Sequence, residues 1–365
     1  MGWIGILDQT GGRFEPSGLG AHGQTGTQQA GQAGFALMPR GTLMLETRLS
    51  PEERPQTLLS FSQSLPWIEE VSLHALPGGA IVLILRQADD ISSVTLPYQP
   101  DDRTDVIRLS YGWDAPAGWS RLVLERPDSD KVHWLALPRP RPLSLLMLQA
   151  MLNNPHCRQM DREVIFVALS SKVEPVGPLP GFCQQVPVLT PRGEVPIGQL
   201  RRGDLVETDG VTQVPVLQAI ARRVPGYGSF RPVRLRAPYF GLRHDIIVSP
   251  QQRLVIRGSE VEYLFGSEAV LVPARHLVNG FSALLADAPP VITYHQLLLP
   301  GHEEIIAAGT RTESLYVGRL RRNHDLLAAS ALAGFDRARL PEHARPVWPV
   351  LRAFEAITLA MNRAA

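Results

Sequence analysis

Apolar and polar residues alternate along most of this chain, in short runs that turn clusters interrupt at regular intervals. Between residues 35 and 170 these runs include GTLMLETRLS, AIVLILRQ, DVIRLSYGW and SRLVLER, and clusters such as PGG and QPDD separate them. Alternation is typical of strands with one buried face, and turns every ~8–12 residues are typical of a β-sandwich. The 32 prolines and 31 glycines also favour short strands over long helices. The chain is therefore predicted to be mostly β.

The domain organisation follows from changes in this pattern along 365 residues, a length that suits two or three domains. Residues 35–170 predict an antiparallel sandwich with one helical insertion at 142–153. Residues 1–34 are rich in Gly, Gln and Thr, so we expect a flexible segment there, in which residues 3–7 could form one docked strand. Residues 171–182 contain three prolines and two glycines, which predicts an exposed linker.

The second half of the chain continues with strands and then changes its period. Residues 183–318 predict a second β domain, because runs such as HDIIVSP, QRLVIRG and VITYHQLLL recur between turns. After residue 318 the runs LLAASALAGF and PVLRAFEAITLAMNR place apolar residues at helical spacing. We therefore expect short C-terminal helices over 319–365 that cap the second domain.

Composition narrows the classes of partner and compartment. Lys and Arg total 36 and Asp and Glu total 35, so the charge gives no reason to expect a nucleic-acid partner. No run of ~20 apolar residues predicts a membrane span, and the N-terminus lacks the basic region of a Sec signal peptide. These features favour a cytoplasmic protein or one exported by a non-Sec route. The two cysteines, Cys157 and Cys183, form no CxxC pair, and no metal or cofactor is predicted.

The first half of the chain resembles a concanavalin-like or laminin-G-like jelly roll. The resemblance rests on the order of its strands and on phrases such as GTLMLETRLSP and WSRLVLERPD. Such folds often bind sugars, so the resemblance implies a glycan or a cell-surface ligand for residues 35–170. A plain packing domain is the other expectation for this half.

Several blocks of the second half, taken in order, resemble the bacterial Hint domain family that is related to hedgehog and intein domains. These blocks are Cys183, TPRGEVPIGQLRRGDLVET, HDIIVSPQQRLVI, EAVLVPARHLVNG, YHQLLLPGHEEIIAAG and TESLYVG. The resemblance implies a Hint β domain over 183–318 and autoproteolysis, with the protein's own chain as substrate. In this family the first Cys attacks the preceding peptide bond, and the thioester that forms is then cleaved by a second nucleophile.

The family's Thr/Ser-x-x-His block holds the amide and supplies a proton, and here that block departs from the pattern. The scissile bond would be Phe182–Cys183, with Cys183 as nucleophile. Ser249 matches the first position of the block, but Gln252 stands where the family has His. Glutamine can hold an amide by hydrogen bonds but cannot transfer a proton at neutral pH. Because losing a general acid–base group costs ~10²–10⁴ in rate, we expect any self-cleavage to be weak.

Two histidines in the last of these blocks are further candidate acid–base groups. His295 lies in TYHQLLL, and His302 follows a Pro-Gly turn and precedes Glu303. Each could instead satisfy local backbone groups. Cys183 also has two interpretations, a nucleophile or a small buried apolar residue, whereas Cys157 is expected to be a buried structural cysteine. No Asn after Cys183 precedes a Cys, Ser or Thr, so full splicing is not expected.

Three functions are consistent with these observations. The first is a cysteine-dependent protein that cleaves itself at Phe182–Cys183. Its enzymatic activity would then be limited to its own chain. The second is a catalytically degenerate Hint domain that serves as a structural or binding module. The third is a carbohydrate- or surface-binding protein whose sandwich carries the function.

Overall fold

The chain folds into two compact units. The computed structural model describes residues 2–20, 36–49, 54–64, 67–99, 106–129, 131–208 and 212–364. The first unit is Met1–Glu174 and the second is Pro175–Ala365. The division lies inside the predicted linker 171–182 rather than at its end.

The first unit is built from short strands that follow one another along the chain, with one helix near its end. The strands are β1 (Trp3–Asp8), β2 (Gly11–Phe14), β3 (Leu37–Met38), β4 (Arg40–Arg48), β5 (Gln56–Gln63), β6 (Glu69–Leu76), β7 (Ala80–Gln87), β8 (Asp90–Pro97), β9 (Val106–Asp114), β10 (Trp119–Glu125), β11 (Val132–Pro138), β12 (Leu143–Ser144), β13 (Arg158–Met160) and β14 (Val164–Ser170). The helix is α1 (Leu145–Asn153).

Two antiparallel sheets of the first unit share one apolar core. Within the described residues, one sheet has the order β11-β10-β9-β4-β14-β1-β2 and the other the order β13-β5-β6-β7-β8. In β9, alternate residues such as Ile107, Leu109 and Tyr111 enter this core, and in β7 Ile81 and Leu83 enter it from the other sheet. The period of two seen in the sequence therefore corresponds to one buried face in each sheet. The predicted jelly-roll-like β-sandwich is confirmed.

The N-terminal residues differ from the flexible segment expected over 1–34. β1 pairs with β14 and with β2, so residues 3–14 are part of the larger sheet. Trp3, Ile4 and Leu7 are buried, and their burial offsets the ordering of the Gly-rich residues around them. The docked strand expected at residues 3–7 is confirmed, and residues 21–35 lie outside the described residues.

The helical insertion predicted at 142–153 is confirmed as α1. Ser144 is its N-cap, and the Ser144 hydroxyl accepts a hydrogen bond from the Met147 N–H at 3.2 Å. Met147, Leu148, Met151 and Leu152 are buried against the sandwich core. Cys157, expected to be buried, is exposed in the turn after the helix, where the Asn154 side-chain amide lies 3.1 Å from its Sγ.

The second unit is also mostly β. Its strands are β15 (Phe182–Cys183), β16 (Pro187–Thr190), β17 (Gly193–Pro196), β18 (Leu205–Thr208), β19 (Thr212–Pro215), β20 (Gln218–Pro225), β21 (Val233–Leu235), β22 (Ile246–Val248), β23 (Arg253–Arg257), β24 (Ala269–Pro273), β25 (Ala283–Leu285), β26 (Val291–Leu298), β27 (Glu304–Ala307) and β28 (Thr310–Glu313). Its helices are α2 (Ser259–Phe265), α3 (Ala274–Leu277), α4 (His324–Ala329) and α5 (Ala353–Ala364).

Two sheets again enclose the core of this second unit. In the described part of the chain, one sheet has the order β20-β26-β15-β22-β21-β25. The other has the order β17-β16-β27-β28-β23-β24, with β18 joining β27 and β19 joining β18. Phe182 and Val248 from the first sheet and Leu254 and Ile305 from the second lie in one apolar cluster. β15 therefore occupies a central place in its sheet and faces this core.

Residues 175–182 are packed into the second unit and do not form an exposed linker. The Val176 N–H donates a hydrogen bond to the Ala329 carbonyl at 3.0 Å, and Val176 is 3 % exposed. Pro180, Gly181 and Phe182 are buried as well. The Pro/Gly composition correctly indicates that residues 175–181 form no regular secondary structure, but such a segment can also be buried when its apolar side chains find a core.

The C-terminal helices are confirmed. α5 packs Ala356 and Leu359 against the core of the second unit, together with Leu351 just before it. Ahead of α5 the chain bonds to the edge strand β24, since the Leu351 N–H donates to the Leu271 carbonyl at 2.9 Å. None of the helices formed by the described residues has the length and apolar character needed to span a membrane.

The sandwich core generates a stability prediction. Leu83→Ala in β7 removes a side chain that is 1 % exposed, so it should destabilise the protein by about 2–5 kcal/mol. Ile91→Ala in the neighbouring β8 removes a side chain that is 60 % exposed and should change stability by about 0.5 kcal/mol or less. Urea denaturation of both variants measures the difference. Equal losses would contradict the assignment of the core to this face of the smaller sheet.

Candidate functional site

The peptide bond between Phe182 and Cys183 lies in the middle of a sheet. Phe182 is paired with Val248 of β22 on one side and with His295 of β26 on the other, and Cys183 is paired with Tyr294. Phe182 is fully buried, with 0 % of its surface exposed. The candidate scissile bond is therefore held by strands on both sides rather than by a loop.

Cys183 is a half-buried free thiol. Burial raises the pKa of the Cys183 thiol to about 11, because an apolar environment disfavours the thiolate. Tyr294, its cross-strand neighbour, is buried and donates a hydrogen bond to the Phe230 carbonyl at 2.7 Å. Burial, and secondly the nearby Cys183 thiolate, raise the pKa of Tyr294 as well. Both groups are therefore neutral at pH 7, and Cys183 is a thiol there.

Ser249 lies against the segment that precedes the candidate scissile bond. Its backbone N–H donates a hydrogen bond to the Gly181 carbonyl at 2.7 Å. Its hydroxyl accepts one from the Gln252 N–H at 3.2 Å and so closes the Ser-Pro-Gln-Gln turn after β22. The structure therefore brings Ser249 to the backbone two residues before Cys183, where it holds residue 181.

The Gln252 carboxamide is fixed by hydrogen bonds at both ends. Its Nε2 donates to the carbonyls of Arg253 at 3.2 Å and Glu313 at 3.3 Å. Its Oε1 accepts a hydrogen bond from Gln296 Nε2 at 2.8 Å. Gln252 is 2 % exposed, so the group that stands in place of the family histidine is buried and satisfied.

Gln252 also fits directly against the α-carbon of Gly181. A Cβ atom built on Gly181 would lie 1.7 Å from Gln252 Oε1 and 2.7 Å from its Cδ. The backbone of Gly181 is not in the left-handed region, so glycine is needed here for space rather than for conformation. Ser249 and Gln252 together therefore hold the carbonyl and the α-carbon of the same residue.

His295 is next to the scissile segment in register but belongs to the other face of its sheet. Successive side chains of a strand point to opposite faces, so His295 faces away from the side shared by Tyr294 and Cys183. Burial, and secondly the Arg201 guanidinium, lower the pKa of His295. The imidazole is therefore neutral at pH 7 and is not directed at the Cys183 thiol.

His302 lies in a separate buried cluster. Its Nδ1 accepts a hydrogen bond from the Val347 N–H at 2.9 Å, so its Nε2 carries the proton and donates to Glu313 Oε2 at 3.1 Å. Arg253 donates to the same carboxylate oxygen at 3.2 Å. Glu313 connects His302 to the Gln252 carboxamide, because its carbonyl accepts from Gln252 and its carboxylate accepts from His302.

Sequence reasoning missed three residues of these clusters. Gln296 and Tyr294 line the Cys183 side of β26, and the polar residue inside the apolar run YHQLLL is a signal that could have identified Gln296. His343 lies with its ring 5.8 Å from that of His302, and burial lowers its pKa to about 4. No local pattern marks His343, because its partners are distant in sequence. Among the described residues, no three His, Cys, Asp or Glu side chains come together as a metal site would require.

The arrangement has a defined chemical capacity. It holds the Phe182–Cys183 amide within a sheet, beside the half-buried Cys183 thiol, which is protonated at pH 7. It also places carboxamides and backbone groups around Gly181, and these groups can bind and orient the backbone before the Phe182–Cys183 amide. Of the two histidines singled out from the sequence, His295 pairs with Phe182, and His302 hydrogen-bonds to Glu313 and Val347.

Comparisons with known proteins identify the second unit. The family model described as the Hint domain matches residues 180–319. Among solved structures, the chain is similar to the MchDnaB-1 intein, with 13 % identity over 36 % of this chain and 98 % of that one at a TM-score of 0.23. No curated protein matches the chain.

Two further solved structures resemble the chain. One is the CBM40 of the Ruminococcus gnavus IT-sialidase, at 14 % identity over 37 % of this chain and 78 % of that one, with a TM-score of 0.27. The other is a toad ovary galectin, at 10 % identity over 38 % and 87 % of the two chains, with a TM-score of 0.22. The family match includes Cys183, Ser249 and Gln252, and the second unit therefore contains a Hint domain, whereas the first unit is a β-sandwich.

Proposed function

We propose that this protein is an autoprocessing Hint protein arrested before cleavage, in which Cys183 keeps the place of the nucleophile and the proton-transfer position is blocked. The observation that carries the proposal is the Gln252 carboxamide, which is buried and hydrogen-bonded at both ends. A carboxamide in this state has no proton to give at neutral pH. The two-unit chain then persists as one polypeptide.

The chemistry of the arrest can be written step by step. In the N-to-S acyl shift, Cys183 Sγ attacks the Phe182 carbonyl carbon and the C–N bond to Cys183 breaks. The thiol proton ends on the released Cys183 amine, and a thioester joins Phe182 to Sγ. Expulsion of the amine needs a proton at its nitrogen, and Gln252 cannot supply one. The tetrahedral adduct therefore returns to the amide faster than the amine leaves.

The nucleophile adds a second barrier. With a thiol pKa of about 11, roughly one Cys183 in 10,000 is a thiolate at pH 7. Active cysteine nucleophiles are more often found where a cation or a helix N-terminus lowers the pKa. The competing interpretation is a purely structural Hint domain in which Cys183 has no reactivity left. Restoring the missing proton donor distinguishes this interpretation from the arrested protein.

Replacing Gln252 with the family residue should restore cleavage. In the full chain, Gln252→His with added hydroxylamine should cleave the 182/183 bond about 100-fold faster than the wild type, since a positioned acid–base group contributes ~10²–10⁴. Denaturing electrophoresis and fragment masses measure the rate. Adding Cys183→Ala to this variant should abolish cleavage, because the thioester cannot form.

The matched control is the neighbouring glutamine. Gln251 directs its Nε2 to the Ser229 carbonyl at 2.9 Å, so Gln251→His should leave the rate at the wild-type level. A wild-type protein that is already split at 182/183 would contradict the arrest. If Gln252→His gives no fragment in hydroxylamine, that result would favour the structural interpretation.

The raised thiol pKa predicts a steep pH dependence of alkylation. In a Cys157→Ser chain, the rate at which iodoacetamide modifies Cys183 should rise about tenfold per pH unit from pH 7 to 10, because only the thiolate reacts and its fraction grows until the pKa of about 11. The same variant in urea should level off near pH 9, since an unfolded cysteine has a pKa of about 8.5. Levelling off near pH 9 in the folded protein would show that Cys183 is not desolvated.

A second candidate function belongs to the first unit. We propose that the sandwich binds a glycan at one end of its larger sheet, where Arg40, Asp114 and Trp119 form a row across β4, β9 and β10. Beside Arg40 and Asp114 is an open cleft of about 580 Å³, whose other lining residues include Ser171 and Lys172. An exposed indole beside convergent polar groups suits a sugar ring, which presents apolar and hydroxyl faces together.

The indole at this site is held in place by a cation. The Arg121 guanidinium lies 5.4 Å from the centre of the Trp119 ring, and Trp119 is 38 % exposed. Trp119→Ala should therefore reduce binding on a glycan array at least tenfold. Trp67→Ala, which removes another indole of similar exposure (41 %), is the control and should leave binding unchanged. This function would be ruled out if the wild-type protein bound no glycan on the array. It would also be ruled out if Trp119→Ala bound glycan as well as the wild type does.

A further inference from the structure

We propose that the second unit binds residues 175–182, the upstream segment, through the pairing of Phe182 in β15 and the burial of its side chains, and keeps it after the Phe182–Cys183 bond has been cut. The cut protein would then be a non-covalent complex of fragments 1–182 and 183–365. The proposal takes the place of the cut from the function proposed above, but it concerns the fate of the fragments rather than the rate of cutting.

The first support is the position of the upstream segment in the sheet. β15 lies between β26 and β22, and these two strands are neighbours only through it. Phe182 is the residue of β15 that pairs with both strands, with His295 on one side and Val248 on the other. Loss of the upstream segment would therefore divide the sheet into two parts and leave backbone groups unpaired along both new edges.

The second support is the burial of its side chains. Phe182 is 0 % exposed and belongs to the apolar core of the second unit, and Val176 at the other end of the segment is 3 % exposed. Release of fragment 1–182 would bring both side chains into water and leave a cavity where the phenyl ring was. Burial of this kind is the dominant favourable term in the association of protein segments.

The third support is a set of contacts along the backbone of the upstream segment. The Val176 N–H donates to the Ala329 carbonyl at 3.0 Å, and the Gly181 carbonyl accepts from the Ser249 N–H at 2.7 Å. Gln252 packs on the Gly181 α-carbon. The partners come from the turn after β22 and from the end of α4, so the segment is held at both ends. None of these contacts needs the bond to Cys183 to remain intact.

The test cuts this bond without using the activity of the protein. In a full-length Cys157→Ser chain, Cys183 is the remaining thiol. Cyanylation of this thiol in urea, followed by hydroxide at alkaline pH, cleaves the peptide bond before Cys183, with the Phe182 carbonyl becoming a carboxylate and the Cys183 nitrogen closing onto the nitrile carbon. After removal of urea, the two fragments should separate on a denaturing gel yet elute together, at the position of the uncut chain, on native size exclusion.

Variants on the two sides of the cut identify the cause of retention. Phe182→Ala should make the cut fragments dissociate at least tenfold more readily on dilution, because it removes the buried ring. Gln185→Ala, an exposed residue just after the cut, should leave dissociation unchanged. Fragments that elute apart, while an uncut chain taken through the same urea treatment returns to its original position, would overturn the proposal. Because the cut is chemical, that result would leave the arrest of self-cleavage untouched.

Discussion

The burial of the Phe182 side chain between two strands is the interaction on which the site depends. Once this ring enters the core, the alternation of the strand places Gly181 and Cys183 on the opposite face of the sheet, toward Tyr294 and Gln252. This placement brings together the Cys183 thiol, the amide before it and the Ser-Pro-Gln-Gln turn. None of these three groups needs a strong contact with another to hold the site together. An aromatic residue in a Pro/Gly-rich stretch thus sets the register of a chemical site.

Neutral polar side chains lie around Gly181 and Cys183, and the nearest charge in the strand register is the buried Arg222, which pairs with Tyr294. Gln252, Gln296 and Tyr294 are buried polar groups that satisfy one another or backbone carbonyls. The carboxylate of Glu313 instead accepts from Arg253 and His302 on the far side of its own backbone.

The sequence predicted the parts of this fold that rest on local pattern. Alternation and turn spacing suffice for the sandwich, and the apolar spacing after residue 318 suffices for α4 and α5. The strands at residues 3–14 and the packed segment 175–182 were harder, because Gly- and Pro-rich composition reports backbone conformation and not whether a few apolar side chains reach a core. An ordered motif singled out Ser249 and Gln252, and the fold places both beside Gly181. The face on which His295 lies depends on strand register, which only the folded sheet determines.

The close fit of Gly181 to Gln252 links two positions that are far apart in sequence. A side chain at residue 181 is excluded for as long as residue 252 ends in a carboxamide at this place, since the added Cβ would overlap Oε1. A smaller residue at 252 would remove that overlap, so the effect of a change at either position depends on what occupies the other. This is epistasis produced by one interatomic contact. It implies that substitutions at these two positions are ordered, with residue 252 changing before residue 181.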